Sequence, residues 1–301
     1  MKDFISIQDL TTDDLLELVK RSQEMNSGLY PNNLAGKIVA LAFFQPSTRT
    51  RIGCEAAVKR LGGQCIQLGD NSSMRKGEDF EDTIKTLAEY VDCIVIRHPE
   101  EGSAKKVADW VNVPIINGGD GRNELPTAAL TLFYQIFHYA KRCKKGLNEI
   151  TVLFYGPLKY CRLCHSLIPI LARFGMKTFS DCPNGLELPN KSIELIKNEG
   201  INMENINTKN ILSDIDVLVA CAVEAHKEAY TPAEYDNALR FYSPITKDFI
   251  KKMKSESIIM AIPPRVWEVS KDVDDDPRQV YTQVPRDSMH TRMALFATLL
   301  T

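Results

Sequence analysis

The sequence lacks both a long hydrophobic run and a large excess of charge of one sign. None of its 301 residues falls in a run approaching the roughly 18 apolar residues of a transmembrane helix. The first residues also lack the apolar run of a signal peptide, so we expect a cytoplasmic protein. Lysine plus arginine (37) nearly equals aspartate plus glutamate (39), which disfavours nucleic acid as a partner. We therefore expect neither membrane nor nucleic-acid binding.

Fingerprints of common cofactor sites are missing as well. The chain contains no G-x-G-x-x-G and no G-x-x-x-x-G-K-[ST], which argues against dinucleotide binding and against a P-loop. Its five histidines show no metal-ligand spacing, so we expect no metal and no cofactor. The eight cysteines are scattered along the chain, and we interpret them as reduced thiols that are mostly buried.

What the sequence does contain is a regular alternation of short apolar runs and longer amphipathic stretches. The predicted strands cover residues 38–44, 65–68, 93–96, 113–116, 151–155, 178–180, 217–221 and 257–261. The predicted helices cover residues 48–61, 79–90, 103–110, 126–143, 158–174, 191–197, 246–254 and 286–300. This order is typical of βαβ units. It predicts an α/β protein with doubly wound parallel sheets.

A polar stretch separates the long predicted helix at 126–143 from the next strand. It reads Lys144-Lys145-Gly146-Leu147-Asn148. We place the boundary between two domains there, at 1–145 and 146–284. The last segment, 285–301, has a polar start and an apolar end and could pack on either domain.

The segment after the first predicted strand is rich in groups that bind anions. Ser47, Thr48, Arg49, Thr50 and Arg51 follow that strand and lead into a helix. Ser47 is the predicted N-cap, and the free amides of a first helical turn favour an anion. Arginine adds a planar fork that suits phosphate oxygens. The segment predicts a phosphate or phosphoryl-ester site, and the alternative is a capped surface helix with its arginines in solvent.

Polar segments also end the neighbouring strands. Arg97 and His98 follow the strand at 93–96, and a glycine-rich turn at 117–121 follows the strand at 113–116. Because open α/β sheets bind ligands at the carboxyl ends of their strands, we expect these segments to converge. The polar loop at 71–79 could close over an anion or simply connect two elements. By itself, His98 is interpreted as a structural histidine.

The segment Cys161-Arg162-Leu163-Cys164-His165 matches the attachment signature of c-type haem and contains the Cys-x-x-Cys spacing of redox pairs. Haem attachment belongs to exported chains, and the motif coincides with the predicted start of a helix. The sequence therefore favours neither role. Arg162 is the expected functional residue, directed towards a carboxylate.

Taken in order, these segments resemble the catalytic chain of the aspartate carbamoyltransferase family, within the aspartate/ornithine carbamoyltransferase superfamily. The resemblance covers nearly the whole chain and rests on residues 44–51, 76–78, 97–102, 119–121, 126–127, 158–162 and 165–167. The Ser-Thr-Arg-Thr-Arg element is highly specific for the superfamily. The segments around Arg97 and Arg162 favour the aspartate branch over the ornithine branch.

The resemblance implies a fold, an activity and an assembly. It implies one domain for carbamoyl phosphate and one for an amino acid, joined by interdomain helices, with 285–301 returning to the first domain. The implied activity is carbamoyl transfer from carbamoyl phosphate to an amino-acid amine, in pyrimidine biosynthesis. The implied assembly is a homotrimer with sites shared between subunits, to which regulatory or other chains could bind.

The resemblance also assigns roles to individual residues. The implied ligands of carbamoyl phosphate are Ser47, Thr48, Arg49, Thr50 and Arg97, with Ser73 and Lys76 from a neighbouring subunit. Among these, Thr50 and Arg97 would serve the developing oxyanion, and Arg49 and Lys76 the leaving phosphate. Implied residues of the acceptor half are Arg162, which would bind the α-carboxylate, with Glu224 and Pro264.

Site residues of the family are replaced at four positions. The family has His and Gln where this chain has Leu125 and Ala128, and Arg and Gln where it has Ala222 and Glu224. The phosphate half of the pattern is thus intact and the acceptor half is not. Two hypotheses follow: a carbamoyltransferase for aspartate or another amine, or a catalytically impaired homologue that binds carbamoyl phosphate or phosphate and acts through subunit assembly.

Overall fold

The computed structural model describes residues 1–28, 32–68, 77–200, 203–261 and 264–301. Its strands are β1 (Ile38–Phe43), β2 (Gln64–Leu68), β3 (Cys93–His98), β4 (Ile115–Asp120), β5 (Thr151–Tyr155), β6 (Lys177–Asp181), β7 (Glu204–Asn205), β8 (Val217–Ala220) and β9 (Ile258–Ala261). Its helices are α1 (Thr12–Asn26), α2 (Arg49–Arg60), α3 (Phe80–Ala88), α4 (Ser103–Trp110), α5 (Pro126–Cys143), α6 (Arg162–Arg173), α7 (Asn190–Asn198), α8 (Pro232–Phe241) and α9 (Val284–Leu300). No helix in these ranges is long and apolar enough to cross a membrane.

The chain forms two compact units, each built on its own sheet. The first unit contains Met1–Tyr134 and Pro285–Thr301, and the second contains Gln135–Val284. All strand pairs within the two sheets are parallel. The predicted fold class, α/β with two doubly wound parallel sheets, is confirmed.

The sheet of the first unit has the strand order β2-β1-β3-β4. Residues 39–42 of β1 are fully buried, because helices cover a parallel sheet on both faces. From β1 the chain moves to β2 on one side, whereas β3 lies on the other side. The strand order therefore reverses between β1 and β3, and such a switch point opens a crevice at the carboxyl ends of the two strands.

The sheet of the second unit has the order β7-β6-β5-β8-β9. Here the order reverses between β5 and β8, which pair from Val152 with Val217 to Tyr155 with Ala220. The second crevice is therefore expected at the segments that follow Tyr155 and Ala220.

A buried carboxylate joins the beginnings of several elements of the second unit. Asp216, whose side chain is 1% exposed, lies 2.6 Å from Lys145 Nζ and 3.1 Å from Lys254 Nζ. It also accepts hydrogen bonds from Tyr139 Oη at 3.0 Å and from the Thr151 amide at 3.0 Å. These bonds satisfy the charge that burial would otherwise penalise.

Three predicted elements differ from the structure. The predicted strand at 113–116 is β4, which runs from Ile115 to Asp120 and so includes the segment predicted as a glycine-rich turn. The predicted helix at 158–174 begins only at Arg162. The stretch predicted as a helix at 246–254 contains a short 3-10 turn, Phe249–Lys252.

Three observed elements were missing from the sequence prediction. They are α1, α8 and the two-residue strand β7. Both helices begin with a capping box, formed by Thr11 with Asp14 and by Thr231 with Glu234. Each is a polar signal that identifies a helix start in sequence. In contrast, β7 is too short and too exposed to leave an apolar pattern.

Candidate active site

The anion-binding residues predicted in the first unit lie at the switch point of its sheet. The segment 44–48 leaves β1, and Arg97 lies in β3 directly opposite Phe43. The Phe44 amide donates to the carbonyl oxygen of Arg97 at 2.8 Å, so pairing continues past the end of β1. The structure thereby brings the start of α2 and the side chain of Arg97 to the same edge of the sheet.

The start of α2 has no capping hydrogen bond from the side chain of its N-cap residue. Its N-cap is Thr48 rather than the predicted Ser47, and the Thr48 backbone is already helical, with φ −80° and ψ −57°. Because the Thr48 side chain makes no capping hydrogen bond, no side chain at this position satisfies the amides of the first turn. Together with the helix dipole, such amides favour a negatively charged group.

The two arginines at the start of α2 have different surroundings. Arg51 donates from Nη1 to Gln67 Oε1 at 3.1 Å, which directs it towards β2. Arg49 is exposed, although neighbouring protein partly desolvates its guanidinium and lowers its pKa. Arginine stays protonated at physiological pH, so Arg49 remains a cation. Thr50, between them, is 8% exposed.

Arg97 is held against β4 by a close approach to two glycines. It is 9% exposed, and its Nη1 donates to the Gly118 carbonyl oxygen at 2.9 Å. A Cβ placed on Gly119 would lie 2.7 Å from Arg97 Nη1, and the φ of Gly119 is +118°. Only glycine fits this position, because it tolerates the backbone angle and leaves room for the guanidinium. Glycine at this position therefore lets the glycine-rich segment continue β4 beside Arg97. The pairing of β3 with β4 shifts in register between Ile96 and His98.

Leu125 lies beside the same glycine. Its Cδ1 would be 3.1 Å from a Cβ on Gly119, so an apolar methyl group flanks the space next to Arg97. Ala128 lies one turn further along α5. The departure at Leu125 thus places an apolar group next to Arg97, one of the predicted oxyanion donors.

The loop after β4 is fixed by Asp120, which is 2% exposed. Its carboxylate accepts from the Gly102 amide at 2.8 Å, from Asn117 Nδ2 at 2.9 Å and from Asn123 Nδ2 at 3.0 Å. A carboxylate with this many donors holds its surroundings rigidly. The segment that carries Gly119 is therefore anchored immediately after the contact with Arg97.

His98 is packed rather than exposed. Its ring stacks on Phe80 with centroids 4.7 Å apart and meets Phe44 edge-on at 5.6 Å. Its Nδ1 accepts from the Glu100 amide at 3.1 Å, and burial lowers its pKa. A neutral imidazole that packs on two aromatic rings agrees with the structural role expected from the sequence.

Arg162 is the first residue of α6 and lies at the switch point of the second sheet. The preceding turn is fixed by the Leu158 and Lys159 amides, which donate to the Leu186 carbonyl oxygen at 2.8 and 3.0 Å. Lys159 also pairs with Glu234 at 2.6 Å and lowers the pKa of that carboxyl to about 2. The second unit thus places the predicted acceptor arginine at the expected strand end.

Glu224 follows β8, and its charge is balanced locally. Tyr235 donates to Glu224 Oε2 at 2.5 Å, and Lys227 Nζ lies 3.4 Å from Oε1. The hydrogen bond from Tyr235 is the main cause that lowers the pKa of Glu224, and Lys227 adds to it. The anion at this position is therefore paired. Ala222, two residues earlier, is buried at 9% exposure and supplies no cation.

Glu268 is a positioning residue that the sequence analysis missed. It is 2% exposed, and its Oε1 accepts from the amides of Val223 and Glu224, each at 2.9 Å. Its Oε2 accepts from the amides of Val266 and Trp267, at 3.0 and 3.1 Å. One carboxylate thus joins the segment after β8 to the segment after β9. No sequence motif signals this role, because all four donors are backbone amides.

The segment after β9 carries Pro264 and Arg265. Pro264 is exposed, whereas Arg265 forms a bidentate ion pair with Asp274 and donates to Tyr281 Oη at 3.0 Å. The Arg265 guanidinium lowers the pKa of Asp274 to about 2. The predicted ligands Ser73 and Lys76 lie outside the described residues.

Comparison with known proteins places the chain in a family. Residues 2–138 match the family model described as the carbamoyl-P binding domain of aspartate/ornithine carbamoyltransferase, and residues 148–299 match its Asp/Orn binding domain. The chain belongs to this carbamoyltransferase family. The resemblance stated from the sequence is thereby confirmed.

Relatives within the carbamoyltransferase family match over their full length. The aspartate carbamoyltransferase catalytic subunit of Methanopyrus kandleri is 36% identical over 308 residues, covering 99% of this chain and 97% of the relative. That of Methanocaldococcus jannaschii is 37% identical over 309 residues, covering 100% and 98%. The solved catalytic subunit of M. jannaschii aspartate transcarbamoylase superposes with a TM-score of 0.84 at 35% identity, covering 99% and 98%.

A second solved structure carries ligands. Aspartate transcarbamoylase from Trypanosoma cruzi, in complex with carbamoyl aspartate and phosphate, has a TM-score of 0.90 at 29% identity, covering 100% of this chain and 96% of that one. Both compact units of the present chain therefore have counterparts in a carbamoyltransferase of known structure.

Proposed function

We propose that this chain transfers the carbamoyl group of carbamoyl phosphate to the amine of an amino acid, as in pyrimidine biosynthesis. The observation that carries the proposal is the convergence of the uncapped start of α2 with Arg97 at the switch point of the first sheet. That arrangement suits a phosphoryl ester, since both features favour negative charge.

The proposed chemistry needs donors rather than a covalent nucleophile. The amine lone pair attacks the carbamoyl carbon, and negative charge builds on the carbamoyl oxygen. The bond to phosphate then breaks, and the departing phosphate takes up the proton that the amine nitrogen loses. Thr50 and Arg97 are proposed to stabilise the oxygen, with Ser47, Thr48, Arg49, Ser73 and Lys76 on the phosphate. Leu125 supplies no donor here, and one missing oxyanion donor costs about 2.7 to 4 kcal/mol of transition-state stabilisation.

The proposed acceptor is an amino acid whose α-carboxylate binds Arg162. The T. cruzi enzyme has been solved with carbamoyl phosphate and aspartate, which favours aspartate by similarity. In this chain Glu224 is paired with Lys227 and Tyr235, so it is not a bare anion facing the acceptor. Ala222 nevertheless offers no cation for a second carboxylate. We therefore propose carbamoyl transfer with a weakened preference for aspartate.

Phosphate release from carbamoyl phosphate, measured with a panel of amino acids, tests the activity. At least one acceptor should raise release above the background without acceptor. A catalytically impaired homologue, the second hypothesis, would show no such rise while carbamoyl phosphate still raises the melting temperature. The triple variant Leu125→His, Ala128→Gln, Ala222→Arg should increase aspartate turnover, and no increase would argue against the proposed acceptor geometry.

A matched pair of variants tests the phosphate half. Arg49→Ala should weaken carbamoyl phosphate binding, whereas Arg51→Ala should not, because the Arg51 guanidinium is bound to Gln67. Equal effects of the two substitutions in calorimetry would refute the assignment. We also propose that the protein is a homotrimer and that it is cytoplasmic. Sedimentation analysis of the purified chain tests the trimer directly.

A further inference from the structure

Three buried cysteines meet at the switch point of the second sheet. Cys161 and Cys164 flank Arg162 at the start of α6, and Cys221 directly follows β8. The Sγ atoms of Cys161 and Cys164 are 3.2 Å apart, and those of Cys164 and Cys221 are 3.8 Å apart. All three are free thiols, with 3%, 0% and 0% exposure in that order. The fold thus assembles a dithiol with a third thiol in contact.

The surroundings of this cluster distinguish its sulfur atoms. Cys161 is the N-cap of the twelve-residue helix α6, where the helix dipole favours an anion. Hydrogen bonds from Cys164 and Cys221, with a smaller contribution from His226, lower the pKa of Cys161 despite its burial. Burial raises the pKa of Cys164. The start of α6 and these hydrogen bonds therefore favour the thiolate form at Cys161 more than at Cys164.

Cys182 provides an internal comparison. Like Cys161 it is 3% exposed, and it lies in the same unit. Its Sγ donates to the Leu186 carbonyl oxygen at 3.0 Å, and burial raises its pKa to about 12. Two equally exposed thiols therefore have pKa values shifted in opposite directions. The Cys182 thiol contacts a carbonyl oxygen, whereas the Cys161 sulfur contacts hydrogen-bond donors.

We propose that Cys161 and Cys164 form a reversible intramolecular disulfide by exchange with a low-molecular-weight disulfide of the glutathione type. Because Cys161 is 3% exposed, the first turn of α6 opens locally before the exchange. The Cys161 thiolate then attacks one sulfur of the small disulfide, and one thiolate leaves and takes up a proton. The Cys164 thiol then loses its proton and attacks Cys161 Sγ, releasing the second small thiol. Two protein thiols are oxidised and one small disulfide is reduced to two thiols.

A disulfide is favoured over a metal site by the described residues. Within the ranges that the structure describes, no group of three or more His, Cys, Asp or Glu side chains could hold a metal ion. A disulfide needs its two sulfurs about 2.05 Å apart, so Cys161 and Cys164 need to approach by about 1 Å. The first turn of α6 moves with them.

The bond would act on Arg162, and this consequence rests on the proposed function. Arg162 lies between the two cysteines in the chain and is proposed to bind the acceptor carboxylate. A misplacement of about 1 Å at a substrate-positioning group can cost about 100-fold in rate. We therefore expect the oxidised protein to have a kcat/KM for its acceptor about 100-fold lower. Binding of carbamoyl phosphate by the first unit should not change.

The chemistry is tested without any activity assay. The full-length protein is equilibrated with buffers of reduced and oxidised glutathione, its remaining thiols are alkylated, and its peptides are mapped. Two of the eight thiols should become protected. They should return with reductant and map to a Cys161–Cys164 bridge. The proposal would be overturned if the unsubstituted protein showed no thiols protected from alkylation, or if two thiols were still protected in Cys161→Ser. A Cys164–Cys221 bridge in the peptide map, or bound zinc in elemental analysis, would overturn it as well.

Cysteine variants provide the control and the link to activity. Cys182→Ser should oxidise like the unsubstituted protein, and Cys164→Val should resist oxidation while its thermal unfolding confirms that it is folded. If the bridge forms but the acceptor kcat/KM is unchanged, the link to Arg162 is overturned and the proposed transferase stands. If no acceptor is carbamoylated in either redox state, the proposed transferase activity is refuted. The peptide map then still decides whether the disulfide forms.

Discussion

Replacing Gly119 by alanine is expected to weaken carbamoyl phosphate binding without unfolding the protein. The new Cβ would lie 2.7 Å from Arg97 Nη1 and 3.1 Å from Leu125 Cδ1. A shift of about 0.7 Å is needed to bring the contact with Arg97 to the 3.4 Å of ordinary van der Waals contact. The guanidinium is the group that yields, because the strand backbone behind Gly119 is hydrogen-bonded.

The expected magnitude follows from two separate costs. Alanine at a φ of +118° adds backbone strain of about 1 to 3 kcal/mol, which lowers the free energy of unfolding. A domain of ordinary stability, about 5 to 15 kcal/mol, tolerates that loss. Displacing Arg97 removes an oxyanion donor, for which we expect turnover to fall by about 100- to 1,000-fold.

Gly185 offers a matched control. Its φ is +82°, and no heavy atom lies within 4 Å of the position that a Cβ would occupy. Gly185→Ala therefore introduces backbone strain without a clash and should lower stability alone. Calorimetry with carbamoyl phosphate and the rate of phosphate release should separate the two variants. Unchanged affinity and turnover in a folded Gly119→Ala protein would refute the role given to Arg97.

Two further predictions concern the second unit. Asp216→Asn should lower the free energy of unfolding, measured in urea, by about 3 kcal/mol. This is the low end of the range for a broken buried ion pair, and we choose it because the lysine partners of Asp216 are about 30% exposed. Burial raises the pKa of Asp216, but hydrogen bonds led by Lys145 outweigh it and lower the pKa overall. This stabilisation is present above the unfolded value of about 3.9 and fades as pH falls through the folded value, so the variant should lose that acid dependence. Glu268→Gln should raise the KM for the acceptor and leave the affinity for carbamoyl phosphate unchanged. The reason is that the glutamine amide has only one acceptor oxygen for four backbone amide donors. An unchanged KM would contradict the positioning role of Glu268.

Sequence reasoning succeeded where local pattern and tertiary structure agree. The bounds of α5 were predicted to the residue, since Pro126 is a favoured first helical residue and a polar stretch follows Cys143. The strands of both sheets except β7 were found, because strands buried on both faces are continuous apolar runs. The convergence of Arg97 with the start of α2 followed from the rule for strand ends in parallel sheets.

The remaining features depend on contacts between distant residues. The stretch around Gly119 was predicted as a turn because glycine disfavours strands, and only the guanidinium of Arg97 explains why the strand continues there. The lack of a capping hydrogen bond from Thr48 was also unpredictable, because Ser47 is a good capping residue by type. Glu268 acts through backbone amides from two separate segments, which no spacing in the sequence records.

The separation of the two sheets has an implication for engineering. Each half of the proposed site lies at the carboxyl ends of its own strands and in the segments that follow them, and Arg97 in β3 is the proposed site residue that belongs to a strand. Randomising only the connections after β5, β8 and β9 should therefore alter which amine is accepted and leave both cores untouched. A directed-evolution library for new carbamoylated products could be confined to the codons of residues 156–161, 221–231 and 262–283.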